Sequence, residues 1–152
     1  MSDDGGFRSF LGGGGGASDA GAWEGVDLEA YEIDDLERLV RALYVAEGCT
    51  IERTPPNSEA GVEYVAVRSK LIGSTRTVVA VKRADSSVSA GTVQQLDRAR
   101  GLHGADRAAL VRPGTFDERA AAAANASKVE LVDGATLKGR LAAAGVTPDS
   151  SP

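Results

Sequence analysis

The chain has one cysteine, one histidine and few aromatics (one Trp, three Tyr, three Phe) in 152 residues, and no apolar run approaches the roughly 20 residues that cross a bilayer. A lone Cys49 excludes an internal disulfide framework and a cysteine-rich zinc site; in "EGCTIERT" it reads as a small buried filler. The lone His103, in the polar stretch "GLHGAD", excludes a histidine-rich metal centre. The start, "MSDDGGFRSFLGGGGG", lacks the basic and long apolar regions of a secretion signal, so a cytoplasmic protein with no membrane partner is expected. The glycines at 12–16 follow no strand and precede no Gly-Lys-Ser/Thr, which excludes a P-loop.

What is present is enough for one packed domain. With 42% hydrophobic residues the length supports a single core plus tails. Residues 1–26 are rich in Gly, Ser and Asp and are expected to form a flexible tail, residues 27–145 the domain, and residues 146–152 a second tail. Phe7, Phe10 and Leu11 give the first tail a means of taking a protein partner, and a homodimer is equally compatible with the sequence.

The net charge of -5 is unevenly spread. Residues 1–63 carry 4 basic and 14 acidic side chains, residues 64–112 carry 9 and 3, and the rest 4 and 5. A basic stretch inside an acidic chain is what a phosphate-binding face requires; a solvated mixture of signs would have the same composition.

Periodicity predicts the elements. In "DLEAYEIDDLERLVRALYVAEG", Leu36, Leu39, Val40, Leu43 and Tyr44 recur at helical spacing, with acids in the first turn and Gly48 as a stop. "CTIERT" alternates as a short strand ended by Pro55-Pro56, and two more strands fill "GVEYVAVRSKLIGSTRTVVAVKR". A helix then runs from near Ser89 to Gly101, followed by the strand "RAALVRPG". Thr115 and Glu118 have capping-box spacing for the next helix, and the strand "KVELV" leads into a last helix from Asp133 to Gly145. This order predicts an α/β fold, a mixed sheet flanked by helices, with parallel crossovers in its second half.

A hairpin turn centred between Ile72 and Gly73 would set Glu63 opposite Lys82 and Val65 opposite Ala80, with Glu63, Val65, Val67, Val78, Ala80 and Lys82 on one face. A carboxylate able to hold Mg²⁺ beside a lysine suits phosphodiester hydrolysis. An ordinary cross-strand salt bridge would have the same spacing.

From Tyr31 to Leu137 the chain resembles the Mrr-like restriction endonuclease domain of the PD-(D/E)xK nuclease superfamily, in "DLERLVRALYVAEGCTIERTPPNSEAGVEYVAV", "TVVAVKR", "VQQL", "ADRAALVRPGTFDERAAAAA" and "VELVDGATL". The resemblance implies a restriction endonuclease-like fold, DNA as partner and Mg²⁺ as cofactor if the chain is active. It also implies catalytic roles for Glu37, Glu63, Lys82 and Gln95 (or Gln94), with Glu37 and Glu63 as metal ligands. Arg68, Lys70, Arg76 and Arg83 around the hairpin, and Arg98 and Arg100 on the following helix, are the candidate phosphate contacts. Two positions depart from the family pattern: Glu63 stands where an aspartate is usual, and Ala80 where a Gln or Glu is. Ala80 offers no oxygen to a metal or a water, and Glu59 is a candidate substitute. The expectation is therefore a DNA-binding protein of this fold with hydrolysis weak or lost. An active Mg²⁺-dependent endonuclease and a protein-interaction module on the same scaffold are the alternatives.

Overall fold

The computed structural model describes residues 21–53 and 62–148. The expected tail over residues 1–20, the Pro55-Pro56 turn, Glu59 and the last four residues lie outside the described residues.

Helix α1 (Ile33–Ala46) forms because Leu36, Leu39, Val40 and Leu43, spaced i, i+3, i+4, i+7, bury one stripe at 1% exposure or less. Complete burial of such a side chain contributes about 1.5–3 kcal/mol. Asp34 and Asp35 in its first turn offset the helix dipole, and Gly48, at φ 97°, reverses the chain where a Cβ would be strained. Strands β1 (Cys49–Arg53), β2 (Val62–Ser69) and β3 (Ser74–Val81) follow, then α2 (Ala90–Leu102), β4 (Arg107–Val111), α3 (Glu118–Asn125), β5 (Val129–Val132) and α4 (Gly134–Ala143).

The sheet order is β1-β2-β3-β4-β5, antiparallel through β3 and parallel from β3 to β5. Alternation along the strands sends side chains to two cores. Tyr64, Ala66, Val79, Val81, Ala109 and Val111 pack with α1 and α4. Val65, Val78, Ala80, Ala108 and Leu110 pack with α2 and α3 on the other face. The result is the expected three-layer α/β arrangement.

The packed unit reaches past the expected 27–145 range at both ends. Trp23 is 1% exposed, and its Nε1 donates to the Val146 carbonyl at 2.6 Å.

Local details differ from expectation. The α3 cap is Asp117, whose Oδ1 accepts the Ala120 N–H at 2.8 Å, and not Thr115, whose carbonyl is taken by the Arg112 guanidinium. Helix α2 runs through Gly101 to Leu102, and Gly104, at φ 63°, makes the left-handed turn after it. Ser89 and Asp133 cap α2 and α4 as expected. Cys49 is half-buried, with the Arg68 guanidinium 4.0 Å from its sulfur.

The hairpin register is the consequential correction. Ser69 pairs with Ser74 across a Lys70–Gly73 loop, so Val65 faces Val78 and not Ala80. This is a slip of two residues, which keeps Val65, Val67, Val78 and Ala80 on a common face because the side-chain period is also two. A bulge between Val62 and Tyr64 then moves Val62 onto that face, opposite Ala80. Glu63, the bulged residue, is not opposite Lys82 as expected.

Candidate functional site

The bulge determines where the acids go. Glu63 turns toward α1, where it meets Glu37 in a cleft of about 270 Å³ that Asp34, Arg38, Arg41 and Arg53 also line. Spacing on α1 explains this group: Asp34, Glu37, Arg38 and Arg41 sit at i, i+3, i+4, i+7, a polar stripe on a helix whose other side is buried. Arg53 arrives from the end of β1, beside Tyr64 of β2 in the ladder. The buried Tyr64 ring forms part of the cleft wall, and its hydroxyl has no hydrogen-bond partner among the described residues.

Glu37 and Glu63 approach within hydrogen-bonding range, and neither carboxyl is fully exposed. Burial, then the Glu63 charge and its hydrogen bond, then Asp34, push the Glu37 pKa up from 4.5 to about 7, while Arg53 acts in the opposite sense. Two carboxyls in this relation share a proton near neutrality. Such a pair can hold that proton, or lose it to solvent when a divalent cation takes its place.

Lys82 does not join them: it is not among the described residues lining the cleft. Its backbone N–H donates to the Val111 carbonyl at 2.8 Å, so β3 continues beside β4 for one more residue. Ala80 packs on the α2 face and Val81 on the α1 face, and Lys82, half-buried, is the first residue after β3. Ala80, fully buried between Val62 and Leu110, is a core residue with no access to the acids. Gln94 and Gln95 are exposed on α2. No group of three or more His, Cys, Asp or Glu side chains arranged to hold a metal occurs among the described residues.

The expected phosphate contacts do not form one surface. Arg68 lies across from Thr75 and Arg76 across from Val67, so the two arginines project from opposite faces of the hairpin. Arg76 is held by Glu52 at 2.6 Å, Arg83 by Asp85 at 3.2 Å and Arg100 by Asp97 at 2.9 Å. Lys70 is exposed in the hairpin loop and Arg98 on α2. The arginines that do gather, Arg38, Arg41 and Arg53, are those that border the acid pair. The polar stripe on α1 is the sequence signal that finds Arg38 and Arg41, while Arg53 arrives from β1.

A family model described as Mrr_cat, restriction endonuclease, matches residues 28–141. The chain belongs to this family. The acid-bearing cleft, the bulged strand and the β3 lysine all fall inside the matched span. No curated protein matches the chain. Among solved structures, the DNA modification-dependent restriction endonuclease AspBHI is similar, with a TM-score of 0.56 and 14% identity, covering 99% of this chain and 42% of that one. A structure of the MspJI restriction endonuclease in complex with a 27-mer oligonucleotide has a TM-score of 0.47 and 15% identity, covering 100% of this chain and 37% of that one. The chain thus spans less than half the length of either, and the first likeness shows a shared restriction endonuclease-like fold. No helix among the described residues is long and apolar enough to cross a membrane.

Proposed function

We propose that this chain is a DNA-binding member of the restriction endonuclease family in which phosphodiester hydrolysis is weak or lost. The observation that supports the second half is that Glu37 and Glu63 share a cleft whose described lining does not include Lys82, whereas Ala80 is buried in the core on the α2 side of the sheet. Hydrolysis needs a water, a phosphate and a cation placed together, and displacements of about 1 Å already cost orders of magnitude in rate. A carboxylate pair in a cleft that the lysine does not line falls short of that demand, and buried Ala80 adds no ligand.

DNA as the partner is supported by the family and by the cleft. Arg41 and Arg53, with Arg38 in an exposed pair with Asp35 at 3.1 Å beside them, can neutralise backbone phosphates next to the acid pair without reading bases. The donor set also fits Mg²⁺, which commonly takes one or two carboxylates with the remaining positions left to water and phosphate oxygens. Glu37 and Glu63 would hold it, and when bound it would offset the charge of a phosphate entering between the arginines. A cytoplasmic location accords with this reading. Active Mg²⁺-dependent cleavage is the second reading, favoured by the Glu37–Glu63 pair itself.

Gel retardation of a linear duplex at low and high salt tests the binding half. Retention that weakens as salt rises, and falls further in Arg41→Ala and Arg53→Ala, is expected. Absence of retention at any salt would overturn it.

A further inference from the structure

The sheet face toward α1 and α4 is apolar along Tyr64, Ala66, Val79, Ala109 and Val111, but polar at one corner. Where β2 ends and β3 and β4 begin, it carries Arg68, Thr75, Thr77 and Arg107, with Glu130 of β5 beside them. Side chains of this kind on a sheet face need partners to offset the water they lose. With Tyr44 of α1 and Arg140 of α4 they enclose a cavity of about 200 Å³. It lies at the end of the strands opposite Glu37 and Glu63.

The partners present do not use all the donors. The Arg140 guanidinium lies 5.1 Å from the Tyr44 ring centroid and donates to Glu47 from Nε at 3.1 Å and Nη2 at 2.6 Å. Its Nη1 is buried without a hydrogen bond to any described residue, 3.8 Å from the nearest Glu130 oxygen. Arg68 reaches the same Glu47 carboxylate only at 3.8 Å. The exposed Arg107 side chain has no ion-pair or hydrogen-bond partner among the described residues. Three guanidiniums thus face two carboxylates, one of them shared by two arginines, and two threonine hydroxyls add further donors. The corner is rich in donors, poor in acceptors and one charge positive.

We infer that this corner is an oxyanion site that binds a phosphate group between Arg68, Arg107 and Arg140, with the Thr75 and Thr77 hydroxyls as additional donors. Guanidinium forks match phosphate oxygens. The ligand class that this donor set fits is a phosphate group, free or at the end of a nucleic-acid strand. The site is independent of the acid cleft, so its failure leaves the proposed function untouched.

Titration of the ¹⁵N-labelled full chain with inorganic phosphate, against chloride at matched ionic strength, tests this inference. Phosphate should shift the amides of Arg68, Thr75, Thr77 and Arg107 saturably, while those of Glu37 and Glu63 stay in place. Arg107→Ala should weaken binding by about tenfold or more. Thr77→Val, which keeps the shape and removes a hydroxyl, should weaken it less. Short single strands with a 5′-phosphate or a 5′-hydroxyl separate the two sources. Preference for the phosphorylated strand assigns the site to strand ends, and response to inorganic phosphate alone assigns it to the free anion. Equal shifts with chloride, or two variants that titrate like the parent, would overturn the inference and leave an internal ion network.

Discussion

Replacing Glu63 with Gln should stabilise the folded chain in mild alkali and have little effect in mild acid. The reason is the Glu37 carboxyl, whose pKa rises from 4.5 to about 7, first through burial and then through the Glu63 charge and hydrogen bond. Between those two pH values the unfolded chain has released a proton that the folded chain still holds. Stability therefore falls as pH rises through the window and levels off above it. At about 1.4 kcal/mol per pH unit the whole displacement would correspond to roughly 3 kcal/mol, but the carboxyl is half-exposed and screening reduces this to about 1 kcal/mol. Removing the Glu63 charge, the second cause after burial, should recover part of that, up to about 0.5 kcal/mol at alkaline pH. Urea denaturation followed by fluorescence of Trp23, the only tryptophan and fully buried, reads the effect at pH 5.5 and 8.5. A parent and variant separated by the same amount at both pH values, or a variant less stable at pH 8.5, would refute the shared-proton account.

Three further outcomes follow from the packing. A Cβ on Gly134 would stand 2.1 Å from the Pro113 carbonyl oxygen, so Gly134→Ala should cost about 1–3 kcal/mol in urea denaturation, while Gly139→Ala, with open space around it, should not destabilise. Ala80→Gln restores the side chain that the family pattern has and this chain lacks, but at a fully buried position between Val62 and Leu110. It should destabilise by about 2 kcal/mol or more without conferring plasmid cleavage. Trp23→Ala should cost about 3–5 kcal/mol by thermal denaturation, since it opens a cavity and leaves the Val146 carbonyl without its donor.

Much of the architecture was legible from spacing alone. The apolar stripe of α1, the strand alternation, and the Ser89 and Asp133 caps are local signals, and local geometry obeys them. The hairpin register was not, because it depends on how many residues the loop takes and where a bulge falls, which are settled by backbone twist and packing. A four-residue Lys70–Gly73 loop and the Glu63 bulge fit the same string of residues as a turn centred between Ile72 and Gly73. The two-residue slip left the apolar face correct, while the bulge carried Glu63 to the other side.

The polar stripe of α1 shows the converse. Asp34, Glu37, Arg38 and Arg41 have the same periodicity as the buried leucines, so the floor of the cleft could be read as readily as the core. What spacing could not supply is its partners: Glu63 and Arg53 arrive from strands whose register is a tertiary property. Similarly, the basic run from 64 to 112 suggested one electropositive face. The pleat divides Arg68 from Arg76, and Glu52, Asp85 and Asp97 neutralise three of the arginines locally.

The central claim, that the acid pair and Lys82 do not assemble into a cutting centre, is tested most directly by incubating supercoiled plasmid with the chain and Mg²⁺ or Mn²⁺, beside Lys82→Ala. The account predicts plasmid retained by protein but no nicking above the Lys82→Ala background with either metal. Nicking that requires both the metal and Lys82 would contradict it.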